Sequence, residues 1–175
     1  MTSARSLALP SVLLADGPDP EYATELQTFG RFVGSWDVEL TEYADGGEAE
    51  TSAAEWHFGW ALAGRAIQDV WIAPPIDEQR RSGVPPREWG TAVRYYDPDA
   101  DCWRMTWAGP GKRRQILFIG HDDGERIVLE GIENGRRLNW IFSDIHENRF
   151  LWEAYEEHVG HGAWQRVQQM KVRRR

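Results

Sequence analysis

Cysteine is almost absent: Cys102 is the single one in 175 residues, so no internal disulfide can form. No cysteine and histidine set has the spacing of a structural zinc site either. Burial alone must hold the fold, as expected of a cytoplasmic protein. Clustered positive charge is also lacking. The formal net charge is −8, and the basic residues Lys171, Arg173, Arg174 and Arg175 do not reverse it, which argues against a nucleic-acid partner. No apolar run approaches the ~20 residues of a membrane-spanning helix. The apolar N-terminal patch, Leu7, Ala8, Leu9, Val12, Leu13 and Leu14, is interrupted by Pro10 and preceded only by Arg5. No small-x-small cleavage site follows it, so it reads as an arm rather than a signal peptide.

Several chemical signatures are missing as well. There is no phosphate-cradling glycine loop and no Gly-x-Ser-x-Gly elbow, and no activating base lies near Cys102 in the sequence. Standard hydrolase, kinase and dinucleotide-enzyme chemistry loses support, and nothing in the motifs calls for a cofactor.

What is abundant is tryptophan, with ten in the chain. Each buries a large area and carries an N–H that wants a partner. These rings either fill a solid core or line a cavity, and both readings stay open.

The period of the apolar residues is two for most of the chain. Asp19 and Pro20 predict a short helix over roughly 21–29, capped by Asp19, with Tyr22, Leu26 and Phe29 on one face. From Trp36 the pattern alternates: Trp36, Val38 and Leu40, then Trp56, Phe58 and Trp60. Further strands are predicted over 65–72, 89–96, 102–107, 115–120, 126–132, 138–142, 150–156 and 164–172, separated by turns such as Asp97-Pro98-Asp99 and Glu133-Asn134-Gly135. The polar stretch 77–87 reads as a mobile loop. With no helix of crossover length between strands, the fold expected is all-β: an up-and-down antiparallel barrel of about eight to ten strands over residues 21–175, preceded by an arm over 1–20.

Phe32-Val33-Gly34-Ser35-Trp36 after a short helix resembles the Gly-x-Trp signature of the calycins, the superfamily of lipocalins and fatty-acid-binding proteins. The segments Glu55 to Trp60, Gly64 to Trp71, Tyr96-Asp97-Pro98 and Trp103 to Trp107 are similar to a bacterial lipocalin-like family of unknown function. The resemblance implies a barrel with a central cavity, its closed end plugged by Trp36. A related haem-binding branch extends Gly-x-Trp with a second glycine and a proline, which residues 37–43 do not supply, and this argues against haem.

Candidate site residues follow. Trp60, Trp71, Trp107, Trp140 and Trp152 come from different predicted strands, as they would around a ligand held inside a barrel. Arg94 and Glu130 are added as polar ligand-binding candidates, and His57 and Glu153 as candidate acid–base groups, because a carboxylate inside a barrel is costly unless it is used or paired. Gln68 and Asp69 must face opposite sides of one strand. Arg94 and Arg104 flank a hairpin from which they could pair with Glu130 and Glu153. His158 and His161 alone are too few for a metal site, and no metal is assigned.

Three functions fit this pattern. The first is a barrel that binds a small apolar or aromatic molecule. The second is a cofactor-independent cyclase, isomerase or lyase that uses the same cavity. The third is a barrel whose outer face mediates self-association, as in a homodimer.

Overall fold

A computed structural model describes residues 8–44, 48–157 and 162–175 of the protein. The turn that Ala44-Asp45-Gly46-Gly47 predicts after the first strand lies mostly outside the described residues, as do His158 and His161. Among the described residues, ten antiparallel strands close into one barrel, each paired with its neighbours in sequence and the first paired with the last. They are β1 (Gly34–Tyr43), β2 (Ala49–Ala61), β3 (Ala66–Ala73), β4 (Glu88–Asp97), β5 (Cys102–Gly109), β6 (Arg114–Asp122), β7 (Ile127–Glu133), β8 (Arg136–His146), β9 (Arg149–Glu157) and β10 (Trp164–Arg174). Closure leaves no exposed strand edge. Strict alternation then sends every second side chain inward: Trp36, Val38 and Leu40 of β1, for example, are buried while Asp37 and Glu39 are exposed.

Two local expectations are corrected. The single N-terminal helix over 21–29 is instead a 3-10 turn, Pro20–Tyr22, and a separate four-residue helix, Gln27–Gly30. Asp19 does cap the first, accepting the Glu21 N–H at 3.0 Å. The stretch read as a mobile loop holds a helix, Ile76–Ser82, with Asp77 and Glu78 in its first turn, Arg80 and Arg81 in its last, and Gly83 in the left-handed conformation at φ 70° as its C-cap. Those charges complement the helix dipole and the glycine ends it. The arm before the barrel contains the helix Leu9–Leu13 and is tied to β2 through Ala15 N–H, which donates to the Trp60 carbonyl at 2.9 Å.

The helix Gln27–Gly30 plugs one end. Phe29 and Phe32 are fully buried there, Phe29 edge-on to Trp103 at 4.8 Å and Phe32 against Phe150 at 4.6 Å. Trp36 lies beneath them, fully buried, its indole N–H donating to the Phe32 carbonyl at 2.7 Å. No described helix is long and apolar enough to cross a membrane.

Candidate functional site

The interior is packed solid at the plugged end and opens into a cavity towards the other, with a volume of about 50 Å³, or about 610 Å³ when the open solvent at its mouth is included. The walls carry Trp56, Trp71, Met105, Trp107, Leu129, Trp140 and Trp152. The rings interlock: Trp140 contacts Phe118 at 4.3 Å and stands edge-on to Trp152 at 5.2 Å and to Trp107 at 5.8 Å. Offset and edge-on contacts of this kind fix the orientation of each ring.

Trp107 lies against the wall because two glycines leave room for it. A Cβ at Gly90 would overlap its six-membered ring, and one at Gly109 would come within 2.9 Å of its indole nitrogen. At the mouth, Glu42 accepts hydrogen bonds from Arg87 (3.0 Å), Lys112 (3.1 Å) and Gln168 (3.0 Å), joining β1, β10 and two loops. Burial pushes the Glu42 carboxyl up, but Lys112, Arg87 and Gln168 outweigh it and hold the group below the usual range.

The deep end of the cavity is polar. Arg94 on β4 and Asp69 on β3 both point inward, both are fully buried, and they form a hydrogen-bonded ion pair. The guanidinium carbon of Arg94 also lies 4.8 Å from the Phe29 ring and 5.4 Å from the Phe58 ring. Burial pushes the Asp69 carboxyl above its ordinary range while the adjacent Arg94 pulls it down. Because a guanidinium does not give up its proton, protonating Asp69 would strand a lone cation among aromatic rings, so the pair stays ionised. Six polar atoms that line this cavity are buried without a hydrogen-bond partner: Asp69 Oδ1, Arg94 Nε and Nη1, and the indole nitrogens of Trp56, Trp71 and Trp152.

The structure separates the residues singled out in the sequence. Trp71, Arg94, Trp107, Trp140 and Trp152 line the cavity. Trp60 faces inward too, but its ring packs against Gly30 under the plug, away from the cavity lining.

His57, Glu130 and Glu153 point outward, because each alternates with inward neighbours. His57 Nδ1 is 2.9 Å from Ser35 Oγ, and its Nε2 is 3.6 Å from Glu55. Glu55 in turn accepts from Arg175 Nη2 at 2.6 Å and from the Ile76 N–H at 3.2 Å. This outer cluster fastens the helix Ile76–Ser82 and Arg175 to the wall. Glu153 accepts from Arg166 at 2.6 Å and Gln169 at 3.1 Å, and Glu130 is exposed. The expected pairing of Arg94 and Arg104 with these glutamates is replaced by Arg94 with Asp69 and Arg104 with Asp97.

Of the lining residues, Trp56, Met105 and Leu129 were not singled out as site residues in the sequence, and Asp69 was named there only as facing one side of its strand. Asp69 shares the parity of Trp71 on the same strand, and that was the available signal.

No family model matches the chain, and no curated protein matches it. Among solved structures it is similar to Rv2717c from M. tuberculosis, with a TM-score of 0.61 and 15% identity over 87% of this chain and 98% of that one. It is also similar to the S-type phycobiliprotein lyase CPES from Guillardia theta, with a TM-score of 0.54 and 11% identity over 85% and 91% of the two chains. These likenesses show a shared barrel fold.

Proposed function

We propose that this protein is a binding barrel that takes a small, planar, largely aromatic molecule into its interior. The observation that carries the reading is the lining of the cavity: aromatic side chains from several strands around a space that opens at one end, with buried polar atoms left unpartnered at the other. Pockets that hold organic ligands combine apolar walls with a few convergent polar groups in this way. The glycines beside Trp107 favour the same reading, since they hold a large ring against the wall and out of the space. One solved protein of the same fold is a phycobiliprotein lyase. The acid–base candidates His57 and Glu153 lie on the outer face, so the chemistry of a cyclase, isomerase or lyase has less support than binding.

The test is titration with the neutral dye N-phenyl-1-naphthylamine, followed by dye emission and tryptophan quenching. Micromolar binding is expected. Ala92 is buried, lines the cavity and pairs with Trp107 across the sheet. Ala92→Trp should abolish binding while the far-ultraviolet circular dichroism stays unchanged. Failure of the dye to bind, or binding that Ala92→Trp does not disturb, would overturn the reading.

A further inference from the structure

The six unpartnered atoms that line the cavity are specific enough to describe the group that would satisfy them. Five are donors, namely Arg94 Nε and Nη1 and the indole nitrogens of Trp56, Trp71 and Trp152, and one, Asp69 Oδ1, is an acceptor. A buried polar atom without a partner is costly, so a ligand that reaches this end is selected for supplying the complement. The charges narrow the choice. Arg94 is already neutralised by Asp69, both are fully buried, and the other charged side chains of the lining, Glu88, Lys112 and Arg114, come from the strand starts and the loop on the mouth side. An anionic head would bring an uncompensated negative charge into a buried site, and a cationic one would face five donors. A purely apolar head would leave all six atoms unsatisfied.

We infer that the ligand's inner edge is a neutral, planar amide or lactam, with a carbonyl oxygen that accepts from Arg94 and one neighbouring indole N–H and an adjacent N–H that donates to Asp69 Oδ1. The aromatic body attached to that edge extends towards Trp107 and Trp140. This rests on the binding reading above and adds the chemistry of recognition to it.

The experiment compares four bicyclic probes of similar size by calorimetry and tryptophan quenching: isoquinolin-1(2H)-one, its N-methyl derivative, 1-naphthoate and 2-methylnaphthalene. The lactam should bind at least about tenfold more tightly than the N-methyl lactam, which keeps the carbonyl and loses the donor, and more tightly than the carboxylate. In the double variant Asp69→Leu with Arg94→Met the lactam preference should disappear while 2-methylnaphthalene still binds. Replacing a buried ion pair by apolar residues of similar volume commonly leaves a protein folded, and thermal unfolding checks that here. Equal affinity for the two lactams, tighter binding of 1-naphthoate, or a preference that survives in the folded double variant would overturn the inference and leave the binding reading standing. Should none of the four probes bind, the binding reading fails and this inference falls with it.

Discussion

The guanidinium of Arg174 lies 4.1 Å from the centroid of the Trp36 ring, on β10 and β1 respectively. Its Nη1 also donates to the Val33 carbonyl at 2.9 Å and its Nη2 to the Arg31 carbonyl at 3.0 Å. The last strand thus holds the segment that leads from the plug into the first strand. Trp36→Ala removes the ring at the centre of this arrangement and should destabilise the protein by about 3–5 kcal/mol, read from urea unfolding. A loss below about 1 kcal/mol would mean that the plug does not depend on it.

Gly90 sets the position of Trp107. Gly90→Ala forces the ring off the wall, and over-packing of this kind costs about 1–3 kcal/mol. If the ring swings into the cavity, dye affinity falls by about tenfold and the tryptophan emission shifts. Unchanged affinity alongside lost stability would place the displaced ring in solvent instead.

Asp69 and Arg94 should behave as a unit. Asp69→Ala strands a buried cation and should cost about 3–5 kcal/mol. The pair of changes Asp69→Leu and Arg94→Met should unfold at a urea concentration no lower than the parent. A double variant whose loss equals the sum of the two single losses would show that the two side chains are not coupled.

Glu55 gives a signed dependence on pH. Burial pushes its carboxyl up, but Arg175, the Ile76 N–H and His57 outweigh burial and hold it below the ordinary value of 4.5. A depressed value in the folded state means stability that is present above the unfolded value and lost as pH falls through the folded one. Glu55→Gln should therefore be less stable than the parent at pH 7, and the gap should close on acidification below about pH 5. A gap constant from pH 7 down to pH 3 would remove Glu55 from the acid response.

The barrel was legible because alternation and turn chemistry are local properties. Most of the ten strands carry a two-residue period and most turns carry glycine, asparagine or aspartate, so a count of about eight to ten strands follows without long-range information. The site was legible only in part. Alternation places His57 opposite Trp56 and Phe58, and Glu153 opposite Trp152 and Ala154. Which side is the interior follows once the aromatic weight of each face is compared, and on that measure both belong outside.

Height along the barrel is a separate matter that no period encodes. Trp56 and Trp60 share a face of β2, but four residues of strand separate them by about 13 Å, enough to put one in the cavity and the other under the plug. The partner of Arg94 was hidden for a different reason. It depends on how β3 and β4 are staggered, which brings Asp69 opposite Ala92 and within reach of the next inward side chain. The helix Ile76–Ser82 was obscured by the prolines and charges around it, although its acidic start, basic end and following glycine are local signals.

The pairing that closes the barrel joins Val38 to Val172, and this shapes how the chain comes to be made as well as what it becomes. Without β10, the outer edge of β1 would carry a row of unsatisfied amides, and the entropy of bringing these distant segments together must be met before closure returns any stabilisation. Until then the β1 edge offers its amides to any other strand, and pairing with β10 removes that edge.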